Sequence, residues 1–567
     1  MPLRKLLRGL KRKSEEIAPD EIFIDSSNLP SFDTDQFEGR IEQPIRRRTA
    51  SVLLGVFALV VLTFAGRASY LQIFEGTAYA ALSENNRLSH EYVFADRGTI
   101  VDRRGVDLVH DSHKEGSDYP SRVYSSYTGL SHVIGYAKAP AKDSSGIYYQ
   151  DTYVGAEGLE KALDERLRGV NGLKIQETDA KGRVTSESTI AAPKHGETIA
   201  LSVDAELNQV IYNALAARIE ESGFRGGAAA VMDLTTGELL ALTSYPSYSP
   251  QIMTDRSDQA AIRGYLKDTR QPFLNRAILG AFTPGSIMKP YFALGALNEN
   301  LISPTKSILS TGALTVPNPY NPDKPSVFKD WKAHGWVDMR QAIAVSSNVY
   351  FFTIGGGFGD QAGLGIEKLE KYARSFGFGS KTGIDYFPEE DGTVPSKAWK
   401  AKLFPDDPWR LGDTYNTSIG QYGFQVTPLQ ALRAVSAIAT RGTLITPTII
   451  QGARGERKEG TLPMTYEEYQ ILFEGMRMGA QIGTAKALNL GYVHIAAKTG
   501  TAELDSSKSY VNSWVTGFFP YEHPRYAFVL LLEHGPYKNL YGAPGVMLSA
   551  FEWMHGNRQE MLEGKDD

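Results

Sequence analysis

The sequence predicts an α+β protein in which one antiparallel sheet covered by helices is carried on an extended stalk behind a single N-terminal transmembrane helix. Three observations predict it. Residues 49–66 form an uncharged, largely apolar run of 18 residues. Beyond residue 196, strand-like runs stand first and last with helical runs between, the order of a layered α+β fold. Between these regions, residues 75–195 mix short extended runs with turn clusters such as residues 111–118 and 143–146.

Length and composition set the outer limits. At 567 residues the chain exceeds the roughly 250–300 residues at which single cores stop growing, so more than one folded unit is expected. Hydrophobic residues make up 42% and charged residues 22%, ordinary globular values. A net charge of -5 provides no basic field, which excludes nucleic acid as a partner of the main body. The chain has no cysteine, so disulfides, thiolate catalysis and zinc–thiolate sites are excluded. This also suits export to an oxidising space.

Taken in order, residues 1–48 combine a basic start with a polar, acidic middle and read as a disordered cytoplasmic tail. The membrane helix is expected over 49–74. Arg46, Arg47 and Arg48 precede it, with Arg4, Lys5, Arg8, Lys11, Arg12 and Lys13 further upstream, whereas Arg67 alone stands near the other flank. That asymmetry keeps the amino terminus inside. A cleaved signal peptide is the alternative, disfavoured by the distance from Met1 and the length of the run. Within the stalk, Leu159, Leu163 and Leu167 recur every four residues and predict a helix closed by Gly169. The large domain spans 196–556, followed by a polar tail over 557–567. It opens with a strand over 198–204 and a helix through 207–219, then a strand pair, 227–233 and 238–244, joined across LeuThrThrGly. Strands return at 494–498, 513–519 and 526–533, and a helix near 546–555 closes the domain.

Three elements carry chemistry. The first is ThrProGlySerIleMetLysPro, residues 283–290, with an apolar helix behind it. Ser286 sits at the helix mouth, where free backbone N–H groups favour developing negative charge, and Lys289 three residues on shares its face. To act as a base near pH 7, Lys289 must lose about 3 pKa units, through desolvation or a cationic neighbour. Pro290 fits only in a first turn. Serine and lysine at this spacing are weak evidence alone: Ser303 and Lys306 repeat it in a loop. The second element is Ser346-Ser347-Asn348, polar residues between apolar runs, which are expensive to bury unless they line a cleft. Ser346 can relay a proton and Asn348 can hold an amide. The structural alternative is a helix boundary with Ser346 or Ser347 as N-cap. Ser26-Ser27-Asn28 and Ser83-Glu84-Asn85 match the pattern outside the large domain. The third is Lys498-Thr499-Gly500-Thr501, placed at the end of a strand, where a cation and hydroxyls can grip a carboxylate and glycine lets a substrate backbone approach. Lys381-Thr382-Gly383 repeats the tripeptide in a turn and reads as an exposed loop.

In their order, these elements resemble those of penicillin-binding proteins and class A β-lactamases. The resemblance extends to residues 97–105 (ArgGlyThrIleValAspArgArgGly), similar to the stalk motif of class B, monofunctional penicillin-binding proteins, and to residues 154–160, 167–172, 244–250 and 275–277. It covers nearly everything from the membrane helix to about residue 550. The 97–105 motif implies a structural pedestal without chemistry. Residues 330–335 (AspTrpLysAlaHisGly), 412–421 and 426–430 look more like the elongation-type penicillin-binding protein 2 than the division type.

The resemblance implies a penicillin-binding-protein/β-lactamase-like transpeptidase domain acting on peptidoglycan stem peptides and inhibited by β-lactams. Lys289 deprotonates Ser286, which attacks the penultimate D-alanine carbonyl. D-alanine leaves, and a neighbouring stem's amine resolves the acyl-enzyme. Ser346 relays protons, Asn348 holds the peptide, and Lys498, Thr499 and Thr501 receive the terminal carboxylate, with Gly500 admitting the backbone. The N–H groups of Ser286 and Thr501 form the oxyanion hole. The implied location is the bacterial plasma (inner) membrane with the catalytic domain outside, and the implied partner is a membrane-embedded glycan polymerase. No cofactor or metal is expected. Some relatives bind zinc near the second motif through a cysteine; none is present here, and Asp330 and His334 read as a structural pair. Only about 22 residues separate Val109 from His132, where relatives carry a longer membrane-distal head. A β-lactamase, a bifunctional synthase and a penicillin-sensing receptor fit less well. A division-type transpeptidase, or a scaffold activating a glycan polymerase with secondary catalysis, remains open.

Overall fold

A computed structural model of the chain describes residues 47–79, 88–178, 184–318, 321, 323–459, 464–538 and 542–563. The chain divides into two compact units, Met1–Leu88 and Ser89–Asp567. In the first, the helix Arg47–Ile73 has 27 residues, and its most apolar 18-residue stretch has a mean hydropathy of 2.2. At 1.5 Å per residue it is about 40 Å long, enough to cross a hydrocarbon core of about 30 Å. Of the tail expected over 1–48, Arg47 and Arg48 already belong to this helix, while residues 1–46 and the decoys Ser26–Asn28 and Ser83–Asn85 lie outside the described residues.

The second unit opens with the stalk, whose interior is an ion network. Glu160, completely buried, accepts from Arg97 Nε at 2.6 Å and Arg122 Nε at 2.9 Å. Arg97 also pairs with Asp164 at 2.8 Å and Arg122 with Asp111 at 3.0 Å. The expected leucine helix forms as two short turns, Gly158–Ala162 and Asp164–Leu167, and Leu159, Leu163 and Leu167 are all buried. Asp102 accepts from the N–H groups of Arg104 and Val106 and reaches Ala205 N at 3.2 Å, tying the motif to the helix that opens the large domain. The strand expected over 198–204 is only Ile199–Ala200, parallel to Ile100–Val101, because Asp204 already caps the following helix.

That helix is α1 (Ala205–Ser222). The central sheet comprises β1 (Gly226–Asp233), β2 (Leu239–Tyr245), β3 (Ala496–Glu503), β4 (Tyr510–Phe519) and β5 (Tyr526–Pro536), in the spatial order β2-β1-β5-β4-β3 with every pairing antiparallel. The β1–β2 turn is the expected one, with the Asp233 carboxylate accepting from Thr235 N and Thr236 N. The sheet separates two apolar cores, and strand alternation sorts residues between them. Ala229 and Val231 join Leu207, Ile211 and Leu215 of α1 and Met547 and Phe551 of the closing helix Ala543–Asn557. Ala228, Ala230 and Met232 point the other way, into a core shared with α2 (Lys289–Asn298), α3 (Met339–Val345), α4 (Asn348–Gly356), α5 (Pro428–Ala439) and α6 (Tyr466–Gln481). This α+β layering is the one the strand order predicts. Within the expected polar tail, residues 559–563 form a short helix that buries Met561 and Leu562.

Candidate active site

The segment that presents Ser286 is fixed before it arrives. Phe282 and Val426 exchange both backbone hydrogen bonds at 2.9 Å, and the Thr283 carbonyl accepts from the Trp514 indole at 2.9 Å. Gly285, at φ +59, donates to the Gly420 carbonyl at 2.9 Å. A Cβ on Gly420 would stand 2.1 Å from the Gly285 oxygen, so that approach requires glycine. Ser286 then lies in a 3₁₀ turn, Gly285–Met288, directly before α2. Sequence placed it at a helix mouth; the tight turn is the local form that mouth takes. Pro290 occupies the first turn of α2, as its missing N–H requires.

Lys289 is buried. Its Nζ donates to the Ser346 carbonyl at 2.8 Å, Ser346 Oγ at 3.2 Å and Asn348 Oδ1 at 2.7 Å. Burial pulls its pKa down to about 7, with the Asp330 carboxylate acting in the opposite direction. Among the described residues it makes no hydrogen bond to Ser286. Lys498, equally buried, donates to Ser346 Oγ at 2.9 Å and to the Thr499 carbonyl at 2.7 Å. Burial first, then the charge of Lys289, holds its pKa well below the usual lysine range. Two lysines therefore converge on one serine hydroxyl, and the charge of Lys289 disfavours that of Lys498.

Ser346 ends α3 at φ +58, a left-handed conformation unusual for a residue with a side chain, and Ser347 caps α4 with its Oγ accepting from Tyr350 N. The helix-boundary reading of the second motif and the site reading thus hold together: the break between two helices turns Ser346 toward both lysines.

The third motif differs from expectation in one respect. Strand β3 begins at Ala496 and runs to Glu503, so Lys498–Thr501 lies inside the strand, where Gly500 and Thr501 still pair with Trp514 and Ser513. β3 is the sheet's edge. A Cβ on Gly500 would meet the Pro284 carbonyl at 2.6 Å, so glycine lets the strand pack against the turn that bears Ser286. The Gln421 carboxamide, oriented to satisfy both its atoms, pairs with the N–H and C=O of Glu503. Strand alternation therefore puts the Thr501 N–H on the same unpaired edge, beside Gly285. Thr499 Oγ1 donates to Thr484 Oγ1 at 2.5 Å, and the Thr501 side chain is exposed. Thr484 was missed by sequence reasoning; it follows α6, 12 residues before the strand begins at Ala496, and no spacing rule ties it to Thr499.

The decoys separate cleanly. Ser303 is exposed and Lys306 bonds Gln361 at 2.8 Å. Thr382 N, Thr382 Oγ1 and Gly383 N all donate to the Glu389 carboxylate, which makes that tripeptide a closed turn.

The turn that presents Ser286, packed against the edge strand of an antiparallel sheet, with two charge-suppressed lysines converging on Ser346, is the arrangement of a serine acyltransferase of the penicillin-recognising type. The penicillin binding protein transpeptidase domain matches residues 227–547 and the penicillin-binding protein dimerisation domain residues 114–201. The chain belongs to the penicillin-binding protein transpeptidase family. It is 26% identical to the peptidoglycan D,D-transpeptidase MrdA of Acinetobacter baumannii, over 87% of this chain and 86% of that one. It is 29% identical to MrdA of Escherichia coli K12, over 74% and 69%. The peptidoglycan D,D-transpeptidase FtsI of E. coli K12 is 27% identical over 74% of this chain and 64% of its own. Among solved structures, penicillin-binding protein 2 of Helicobacter pylori in complex with MreC has a TM-score of 0.67 at 27% identity, covering 83% of this chain and 99% of that one. A chain from a peptidoglycan synthase complex that coordinates polymerization and crosslinking has a TM-score of 0.69 at 25% identity, covering 92% and 99%.

Proposed function

We propose that the protein is a peptidoglycan D,D-transpeptidase of the elongation type that cross-links stem peptides through a Ser286 acyl-enzyme. The observation that carries this is the convergence of Lys289 and Lys498 on Ser346 beside the turn that bears Ser286. Neutral Lys289 takes the Ser286 proton as Oγ attacks the carbonyl of the penultimate D-alanine. The carbon–nitrogen bond to the terminal D-alanine breaks, and the proton returns through Lys289 and Ser346 to the leaving amine. The acceptor stem's amine then repeats the sequence in reverse, and its own proton restores the resting state. The N–H groups of Ser286 and Thr501 hold the oxyanion, each worth roughly 3–4 kcal/mol in comparable acyl-transfer sites. Lys498, Thr499 and Thr501 receive the terminal carboxylate, and Asn348 orients the peptide. β-Lactams enter the same path and stop at the acyl-enzyme.

In this reading the helix Arg47–Ile73 holds the protein in the bacterial plasma membrane, amino terminus inside, with residues 75–195 as pedestal and 196–556 as the catalytic domain outside. The likeness to a synthase-complex chain supports a membrane-embedded glycan polymerase as partner. Intact-mass analysis after exposure to labelled penicillin tests the reading. A one-to-one adduct in wild type and Ser303→Ala, lost in Ser286→Ala, is the expected result; its absence from folded wild type overturns it.

A further inference from the structure

We propose that Asp330 is a metal-free brace for this active site: a buried carboxylate that positions the Ser346–Asn348 turn, and Lys289 with it, through hydrogen bonds alone. This rests on the transpeptidase reading.

The geometry is a grip on both sides of Ser346. The Asp330 side chain is 0% exposed. Its Oδ2 accepts from Ser347 Oγ at 2.9 Å, Val349 N at 3.0 Å and Ser310 Oγ at 3.1 Å, joining the start of α4 to the strand Ile308–Ser310. A carboxylate at a helix N-terminus is also favoured by the helix dipole. The neighbouring residues extend the grip: the Trp331 indole donates to the Val345 carbonyl at 3.2 Å, and Asn348 Nδ2 donates to the Lys329 carbonyl at 3.3 Å. Residues 329–331 thus hold 345 and 347–349, leaving between them the one residue, Ser346, whose left-handed backbone needs support.

Relatives of this family that carry zinc near this motif pose the alternative that a metal does this work. The donor set here does not fit one. Structural zinc takes four ligands from Cys, His, Asp and Glu. Beside Asp330 stands only His334, with Nε2 3.7 Å from Oδ1. The other partners of the carboxylate are the neutral hydroxyls of Ser310 and Ser347, and Trp331 N donates to Oδ1 at 2.9 Å. Among the described residues no three His, Cys, Asp or Glu side chains cluster. The hydroxyl and N–H donors satisfy the carboxylate where a cation would otherwise be needed. Despite burial, the hydrogen bonds from Val349 and its neighbours, with the charge of Lys289, keep Asp330 below its ordinary pKa and hence ionised. Its field acts on Lys289, whose charge in turn lowers Lys498; His334 is held toward its neutral form by burial.

The test uses the full chain in detergent. Elemental analysis after incubation with zinc and gel filtration should find far less than one zinc per chain, and chelator should leave penicillin acylation unchanged. Asp330→Asn should slow acylation by about 10- to 100-fold, the usual loss when a supporting partner of a site residue is removed. Its acidic limb should move to lower pH, because the charge that favours protonated Lys289 is gone; a merely structural lesion leaves that limb in place. Ser310→Ala, remote from the reacting atoms, should slow acylation several-fold with the limb unmoved. Stoichiometric zinc, chelator-sensitive acylation, or Asp330→Asn with wild-type rate and profile overturns the proposal. If Asp330→Asn does not fold, Ser310→Ala acylating at the wild-type rate overturns it instead. Wild type that takes no penicillin would sink the transpeptidase reading, whereas the zinc measurement is read without activity.

Discussion

The buried charges of the stalk and those around Ser346, both in the Ser89–Asp567 unit, are built oppositely. In the stalk, the guanidinium groups of Arg97 and Arg122 face the carboxylates of Glu160, Asp111 and Asp164, all within ion-pair distance. Opposite charge surrounds each group, and despite burial Arg97 and Arg122 hold Glu160 below the ordinary carboxylate range. In the catalytic cluster, Lys289 and Lys498 share Ser346 with no carboxylate in contact; Asp330 acts from behind the turn. There, burial wins and lysine charge is suppressed. Balance makes a brace, and imbalance makes a base.

That contrast is broken most severely at the catalytic end. Lys289→Ala should cut penicillin acylation by roughly 10²- to 10⁴-fold, the range for loss of a general base, with little change in melting temperature. In wild type, acylation should decline as pH falls through about 7, where Lys289 becomes protonated. Rapid-mixing rates across pH would show it, and a flat profile from pH 6 to 9 would remove Lys289 as the base.

At the stalk end the effect should fall on stability. Glu160→Gln leaves two buried guanidinium groups short of a counter-charge and should destabilise folding by about 3–5 kcal/mol, measured by urea unfolding. The acylation rate of the folded fraction should stay the same. Glu160 has a depressed pKa, so its contribution is present above its unfolded value of 4.5 and is lost as pH falls through the lower folded value. The wild-type protein should therefore lose stability below about pH 4.5 with a steeper slope than Glu160→Gln. A smaller effect is expected beneath the Ser286 turn, where backbone meets backbone: Gly420→Ala, whose Cβ would crowd the Gly285 carbonyl, should cost about 1–3 kcal/mol.

How much of this was legible in the sequence follows the range of the interactions. The sheet strands and the α1 and closing helices were readable because alternation and period 3.6 are local. Ser286 and Lys289 were readable because three residues separate them. Arg97 and Glu160 appeared only as members of motifs, since their pairing spans 63 positions. Asp330 was read as one of a structural pair with His334, yet its strongest contacts are with Ser347, Val349 and Ser310, up to 20 residues away. Lys498 was placed at a strand end because propensity fades at LysThrGlyThr; tertiary pairing with β4 carries the strand through.

The smallest expected effect tests whether imbalance, rather than motif, makes the site. Lys381-Thr382-Gly383 repeats the third motif, but the Glu389 carboxylate takes both backbone N–H groups and the Thr382 hydroxyl, and Lys381 itself points to solvent. Lys381 is exposed beside a satisfied turn, whereas Lys289 and Lys498 are altered by burial. Lys381→Ala should change stability by no more than about 0.5 kcal/mol and leave the acylation rate and its pH limb where they are, while Lys498→Ala, removing a buried donor to Ser346 Oγ, should slow acylation severely. Equal behaviour of the two variants would mean that the buried lysine pair does not build the site.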